Sequence, residues 1–377
     1  MNFFKTHSFW ILFNLFIFCI IFGTFIISCN RSDRFSGYSM GTYYTVQFDQ
    51  QYSGQELSEI QNIVQDELNS LEGIFSTYRE DSEISKINLS AKNEIEVSAS
   101  MKEVLTTAFL LSEKSGGAFD PALNPLIEAW GFGKRKITNF SPLQIEEAKR
   151  NSGQRFFSLK NNILYKINPA SGLNLNGIAK GYAVDKVFKL LEKRGYHAIV
   201  EIGGEVRAGN ATFRVGLDAP GAADSFVISS VSIATSGTGY NQKTVNHRKI
   251  HHILNARTGY PAVTNVLSAS VIGPECMVAD ALAKLPFVMQ PVEAVKVIIS
   301  LGYDAYIIEE VEGVRKVTIT DGARKWLYKK MSPHRNDFEN ENQVNFLVFC
   351  CDPFYFIWSP FCRGVQQSRG CYQRSLP

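Results

Sequence analysis

Apolar positions along the chain fall into two periods. Between 56 and 75, Leu57, Ile60, Ile63, Val64, Leu68, Leu71, Ile74 and Phe75 recur mostly at three and four, which predicts an amphipathic helix. Tyr43 to Phe48 alternates in part and predicts a strand, entered from a short polar linker. A second helix is expected from Ser100, with Glu103 completing a capping box, up to a stop at Gly116-Gly117. A third begins at Ser141-Pro142, with proline at its tolerated first position. Leu173 to Leu191 joins the run LNLNGIA to a helical repeat of Ala183, Val184, Val187, Leu190 and Leu191, ended by Gly195. Strands are expected at 198–202, 213–217, 227–233 and 268–272, helices near 278–289 and 291–301, and closing strands at 306–308 and 317–319. Helices and strands mix without regular βα alternation, so the predicted fold class is α+β, one intertwined unit.

The two ends depart from this pattern. Residues 1–29 read as a targeting segment: Lys5 is followed by an uncharged stretch from Ser8 to Ser28, about as long as a bilayer span. Ile26-Ile27-Ser28-Cys29 resembles a bacterial lipobox, which implies a lipid on Cys29, a membrane tether, and a domain on the extracytoplasmic face of the cell envelope; an uncleaved anchor is the alternative. The expected domain runs over 30–331. Residues 332–377 form a polar, then aromatic and Cys-rich tail with no usable period and no zinc-finger spacing.

Composition narrows the function by exclusion. A net charge of +3 without a Lys/Arg run gives no reason to expect nucleic acid. GxxxxGK[ST], GxGxxG after a strand, HExxH, CxxC and GxSxG are all missing, so the common nucleotide, metal and hydrolase signatures do not apply. What is left is a set of Gly-rich turns, single carboxylates and few histidines. The densest stretch is His251 to Met289, with a His pair, an Asn-x-Arg-Thr-Gly turn, an apolar strand and Asp280, which is expected to open a helix.

Eight segments in order carry a more specific signal: SMGTYYTVQF, FSTYREDSEISKIN, SGGAFDPALNPLIEAWGFG, LNGIAKGYAVDKV, VEIGGEVRAGN, ATSGTGYN, HHILNARTGYPA and ADALA. With these the chain resembles, over roughly residues 37–330, the flavin transferase family often named ApbE, whose members move FMN from FAD onto a protein hydroxyl. The resemblance implies FAD as substrate, Mg²⁺ as metal, and exported flavoprotein subunits of redox complexes as acceptors. It assigns Met40, the triplet Ser76, Thr77 and Tyr78, Asp120, the neighbourhood of Tyr182, and Leu254 through its backbone to the flavin nucleotide. It makes His252 the proposed base and gives the metal the Ala179 carbonyl and the Asp280 carboxylate.

Each of these residues also has a plain structural reading. Met40-Gly41-Thr42 suits a strand entry, Phe119-Asp120-Pro121 a turn, Gly177 to Tyr182 a tight helix entry, and Gly203-Gly204-Glu205 either a strand-ending turn or a close approach to ligand. Asp280 and Lys284 are spaced for an ordinary i, i+4 ion pair. Three places differ from the family pattern: Lys284 stands where it usually has Thr, the pair Asn255-Ala256 where it commonly has Asp-Pro, and Asn174 where it often has Asp. A protonated lysine has no lone pair to give a metal.

Overall fold

The computed structural model describes residues 31–134, 140–216, 225–239, 242–245, 248–328 and 345–347. Its frame is one antiparallel sheet: β1 (Arg31–Ser39), β2 (Thr42–Ser53), β3 (Ala198–Ile202), β4 (Glu205–Ala208), β5 (Ser232–Gly237), β6 (Val266–Gly273), β7 (Asp304–Val311) and β8 (Val314–Ile319). These eight strands lie side by side in chain order, so the sheet is a meander whose connections carry everything else. The α+β expectation holds.

The longest insertion, between β2 and β3, holds α1 (Gly54–Phe75), α2 (Ala99–Lys114) and α3 (Ala179–Glu192), with a small three-stranded sheet and shorter helices between them. Helix α1 follows the predicted period: Leu57, Ile60, Val64, Leu68, Leu71 and Phe75 are buried. Each such burial contributes about 1.5–3 kcal/mol relative to exposure. The connection from β6 to β7 holds α4 (Cys276–Leu282), a short helix over Leu285–Val288, and α5 (Pro291–Ser300).

Both faces of the sheet are covered, because neighbouring residues on a strand point to opposite sides. Val200, Ile202, Ala234, Ala269, Val271 and Ile307 join the core shared with the helices. Ile199, Val206, Ile233, Ile272, Tyr306 and Ile308 pack instead with Phe213, Val215, Phe226 and Ile228 of a hairpin inserted between β4 and β5. This two-sided burial explains why AIVEI is apolar at every position but Glu201.

Several boundaries differ from the sequence reading. The polar linker before Tyr43 is strand β1, an edge strand that buries only Phe35 and Ser39. The capping box sits on α1, where Ser53 and Glu56 bond each other's backbone N–H. Ser98, not Ser100, caps α2 by accepting from the Met101 N–H, and Glu103 instead accepts from the Tyr182 hydroxyl at 2.9 Å. The strand expected over 227–233 is broken at Ser230, whose φ of +54° turns the chain from the inserted hairpin into β5. The targeting segment lies outside the described residues, as does all of the tail except Asn345–Leu347. That piece pairs in parallel with Phe213–Val215. No helix among the described residues is long and apolar enough to cross a membrane.

Candidate functional site

Two hairpin tips meet at one end of the sheet. Met40 and Gly41 form the two-residue turn between β1 and β2, with φ of +52° and +75°. Such a turn suits glycine and is unfavourable for Met. Glu72 of α1 holds it there, accepting hydrogen bonds on one carboxylate oxygen from the Met40 N–H and, at 2.8 Å, from the Ser39 hydroxyl. The Glu72 carbonyl also accepts the Ser76 N–H at 3.1 Å. One residue therefore ties Met40 to the Ser76-Thr77-Tyr78 triplet that follows α1. Thr77 is buried, while Tyr78 is exposed and donates its hydroxyl to the Phe132 carbonyl at 3.3 Å.

The second tip is Gly203-Gly204, between β3 and β4, again with both φ positive. A Cβ on Gly203 would come within 2.7 Å of Thr42, so glycine lets the two tips touch. Lys180, in the first turn of α3, donates to the Gly203 carbonyl at 3.2 Å and pairs with buried Glu205. Desolvation alone would lower the Lys180 pKa, but Glu205 and Asp280 hold it above its ordinary value.

Helices α3 and α4 cross in close contact, and each closes the other's start. The Gly181 N–H of α3 donates to Asp280 Oδ2 at 3.0 Å. The Cys276 and Met277 N–H groups of α4 donate to the two oxygens of Asp185 on α3, at 3.1 and 2.9 Å. Gly181 permits this approach, since a Cβ there would lie 2.3 Å from the Cys276 carbonyl oxygen. Asp280 thus sits within α4, fully buried, and does not open a helix as expected. Its other oxygen, Oδ1, pairs with the Lys284 ammonium, which also donates to the Asp280 carbonyl at 2.7 Å. The i, i+4 pair predicted from spacing is present.

His252 lies in the connection between β5 and β6. Its Nδ1 is buried with no hydrogen-bond partner among the described residues. Burial first, then the charges of Lys284, His251 and Lys180, push its pKa down to about 4. The ring is therefore neutral at pH 7 and keeps a lone pair for a proton. His251 is half-buried rather than exposed; its Nδ1 accepts the Ile253 N–H at 3.3 Å.

The following turn is built by Asn255, whose Oδ1 accepts the Arg257 and Thr258 N–H groups while its Nδ2 donates to the Val288 carbonyl at 3.3 Å. An aspartate cannot make that last bond. Leu254 is buried in one cluster with Leu123, Leu126 and Trp130, so its side chain is not open to a ligand.

Asp120 clasps two loops, accepting from the Ala122 N–H at 2.8 Å and the Gln154 N–H at 3.1 Å. Burial raises its pKa, against those two bonds and Arg155. It borders a cleft of about 470 Å³ lined also by Gly116, Gly117, Gly153 and Arg155. Arg257 reaches the same rim, donating to the Gly116 carbonyl at 3.2 Å.

Tyr182 does not present its ring to a ligand. It is packed edge-on against Phe75, with its hydroxyl on Glu103, and belongs to the core. Ala179 is buried at the start of α3, one residue before Lys180. Lys180 and Glu205 lie in two different matching segments, and nothing in the sequence signals that they pair from α3 to β4. Glu72, eight segments notwithstanding, lay outside every motif.

Magnesium is the part of the implied chemistry that the residues do not fit. Mg²⁺ demands an octahedron of oxygens at about 2.0–2.1 Å. Both Asp280 oxygens are engaged by protein donors, one of them an ammonium. Among the described residues no group of three His, Cys, Asp or Glu is placed to hold a metal ion.

Two lysines acting on one helix entry suit a phosphate-bearing ligand, and the neutral imidazole near them suits a proton acceptor. The class this defines is an α+β protein that handles phosphoryl groups. The ApbE family model matches residues 40–307, and the chain belongs to the ApbE family. It is 31% identical over 262 residues to the FAD:protein FMN transferase of Vibrio cholerae, covering 66% of this chain and 78% of that protein. Solved structures share the fold as well. A histidine-to-glycine mutant of Flavin Transferase ApbE from Vibrio cholerae gives a TM-score of 0.72 at 26% identity, over 78% of this chain and 99% of that one. The apo form of Pseudomonas stutzeri flavinyl transferase ApbE gives 0.70 at 29% identity, over 78% and 96%.

Proposed function

We propose that the chain is an FAD:protein FMN transferase, moving FMN from FAD to a Thr or Ser hydroxyl of a protein acceptor and releasing AMP. Its membership of the ApbE family supports the activity. The observation that carries the chemistry is a buried, neutral His252 in the electrostatic reach of Lys180 and Lys284.

In this reading the acceptor oxygen bonds to the FMN phosphorus while the bond from that phosphorus to the bridging oxygen breaks, and AMP leaves with that oxygen. His252 takes the hydroxyl proton and returns it to solvent. Negative charge grows on the phosphoryl oxygens, so fixed positive groups at the α3 entry favour the transition state over the ground state. Lys180, held by Glu205 and the Gly203 carbonyl, is one such group. The tips at Met40 and Gly203 and the clefts beside Asp120 position the flavin nucleotide, which accounts for much of the rate in phosphoryl transfer. A bound Mg²⁺ would neutralise pyrophosphate charge, but Asp280 as found is not free to hold one, so no step is assigned to it.

The resemblance further supports an exported flavoprotein subunit of a redox complex as acceptor, and a tether through lipidated Cys29 on the extracytoplasmic face. Incubating the purified chain with FAD and an acceptor peptide tests the activity. Covalent flavin on the peptide with one AMP per transfer is expected. Free FMN and AMP without labelled peptide would make it a pyrophosphatase, and bound FAD without AMP a binding protein. Labelling Cys29 with a lipid in cells, lost in Cys29→Ala, tests the tether.

A further inference from the structure

We infer that Lys284 stands in for a divalent ion: its ammonium supplies positive charge to the FAD pyrophosphate, and Asp280 is its anchor and not a metal ligand. This rests on the transferase reading for the identity of the ligand, and on geometry for everything else.

Lys284 lies two residues past α4, at the N-cap position of the Leu285–Val288 helix. Of its three N–H donors, one goes to Asp280 Oδ1 and one to the Asp280 carbonyl, which leaves one to aim elsewhere. The lysine side chain is 20% exposed while that of Asp280 is 0% exposed. A ligand in this corner therefore meets the ammonium and cannot reach the carboxylate. The stem of Lys284 crosses the turn that leads into α3: a Cβ on Gly177 would lie 3.8 Å from Lys284 Cε and 3.4 Å from the Phe119 ring. The N-cap residue Ile178 gives α3 no side-chain cap; Asp280 provides one from outside by accepting the Gly181 N–H. The Ile178 and Ala179 N–H groups of that entry go to the Leu175 carbonyl and the Gly181 N–H to Asp280, so the spare Lys284 donor is what this corner offers a pyrophosphate oxygen.

The surrounding charges agree. Lys284 is the strongest charged influence on His252, ahead of His251 and Lys180, and it also acts on Glu205. A divalent ion at Asp280 would have to displace either the ammonium from Oδ1 or the Gly181 N–H from Oδ2, and then sit beside a like charge. Its remaining shell would find no second carboxylate bonded to Asp280's neighbours, because Glu205 is already paired with Lys180.

The test uses the full chain in detergent, with three proteins: wild type, Lys284→Gln and Lys284→Thr. Mn²⁺ binding without FAD is followed by electron paramagnetic resonance, and FAD binding by flavin fluorescence in EDTA and in saturating Mg²⁺. Wild type is expected to bind no stoichiometric Mn²⁺ and to bind FAD equally well in both buffers. Lys284→Gln keeps an N–H donor one bond shorter in reach but loses the charge, and its FAD affinity in EDTA should fall roughly tenfold or more. Lys284→Thr should gain a Mn²⁺ site, and added metal should recover its FAD affinity. A wild type that binds one Mn²⁺ and loses FAD in EDTA overturns the inference. So does a Lys284→Gln protein that binds FAD in EDTA as wild type does. Absence of covalent flavin on an acceptor would overturn the transferase reading alone, since the isotherms and spectra decide this inference without it.

Discussion

The α3–α4 contact has two ends built on one plan and put to different uses. At each end an aspartate on one helix accepts backbone N–H from the other, two at Asp185 and one at Asp280, and pairs with a cation. At the Asp185 end the cation is Arg207, which also stacks its guanidinium 4.8 Å from the Phe188 ring centroid. Arginine there is held by Asp185 and an aromatic face, so that end is closed in the sense that it keeps no mobile donor, although both cation side chains are 20% exposed. At the Asp280 end the cation is Lys284, a flexible stem with a donor to spare, lying next to His252 and the α3 entry. The same device thus seals the fold at one end and stays open to ligand at the other. The cation, and the number of N–H groups each aspartate accepts, separate the two.

The largest expected effect lies at the open end. His252→Gln should lower transfer by about 10²–10⁴-fold, the usual worth of a positioned base, with the FAD dissociation constant at pH 7 little changed. Unchanged transfer would remove His252 as the base and leave the open end without chemistry. At the closed end, Asp185→Ala leaves Arg207 and two helix N–H groups unpaired, which should cost about 3–5 kcal/mol in urea unfolding. FAD affinity of the protein that remains folded should not move; if it falls in step with stability, the two ends are not separate.

The pH dependence ranks next. His252 has its folded pKa held at about 4 against an ordinary 6.5, so the unfolded chain takes up a proton first as pH falls. Stability is therefore complete above pH 6.5 and is lost as pH drops through the window down to about 4, by on the order of 3 kcal/mol. That part of the slope should vanish in His252→Gln, measured by urea midpoints across the window. An acid limb of wild-type transfer near pH 6.5 would contradict the neutral imidazole. Smallest is Gly181→Ala, which pushes a methyl onto the Cys276 carbonyl and Asp280. It touches both ends at once, at about 1–3 kcal/mol for overpacking, and should weaken FAD binding as well as lower the melting temperature.

Much of the frame was legible in advance, because α1 and the β3 strand obey simple periods. The failures have physical causes. Strand β1 hides because an edge strand with one wet face needs few apolar residues, and RSDRFSGYS has almost none. Ser-x-x-Glu occurs at both 53–56 and 100–103, and only tertiary contact with Tyr182 shows that the second glutamate is otherwise engaged. Helix α4 is buried all round, so its apolar run carries no phase from which to place Asp280 in its middle. In the site, resemblance located His252 and Asp280. It did not reveal that Glu72 joins Met40 to Ser76, nor that Lys180 pairs with Glu205, because those partners are far apart in the chain.

The chain-order meander has a consequence for how the molecule is made. β1–β2, β3–β4 and β7–β8 are tight hairpins whose closure is local and fast, whereas β2 must find β3 across the whole insertion from 54 to 197. The Met40 tip and the Gly203 tip meet only when that pairing is complete. Flavin quenching during refolding should accordingly lag behind tryptophan fluorescence, and simultaneous recovery would show that the tips meet earlier. Competence to hold the flavin nucleotide is then a late event in assembly, reached only by chains that have joined their first two strands to the rest.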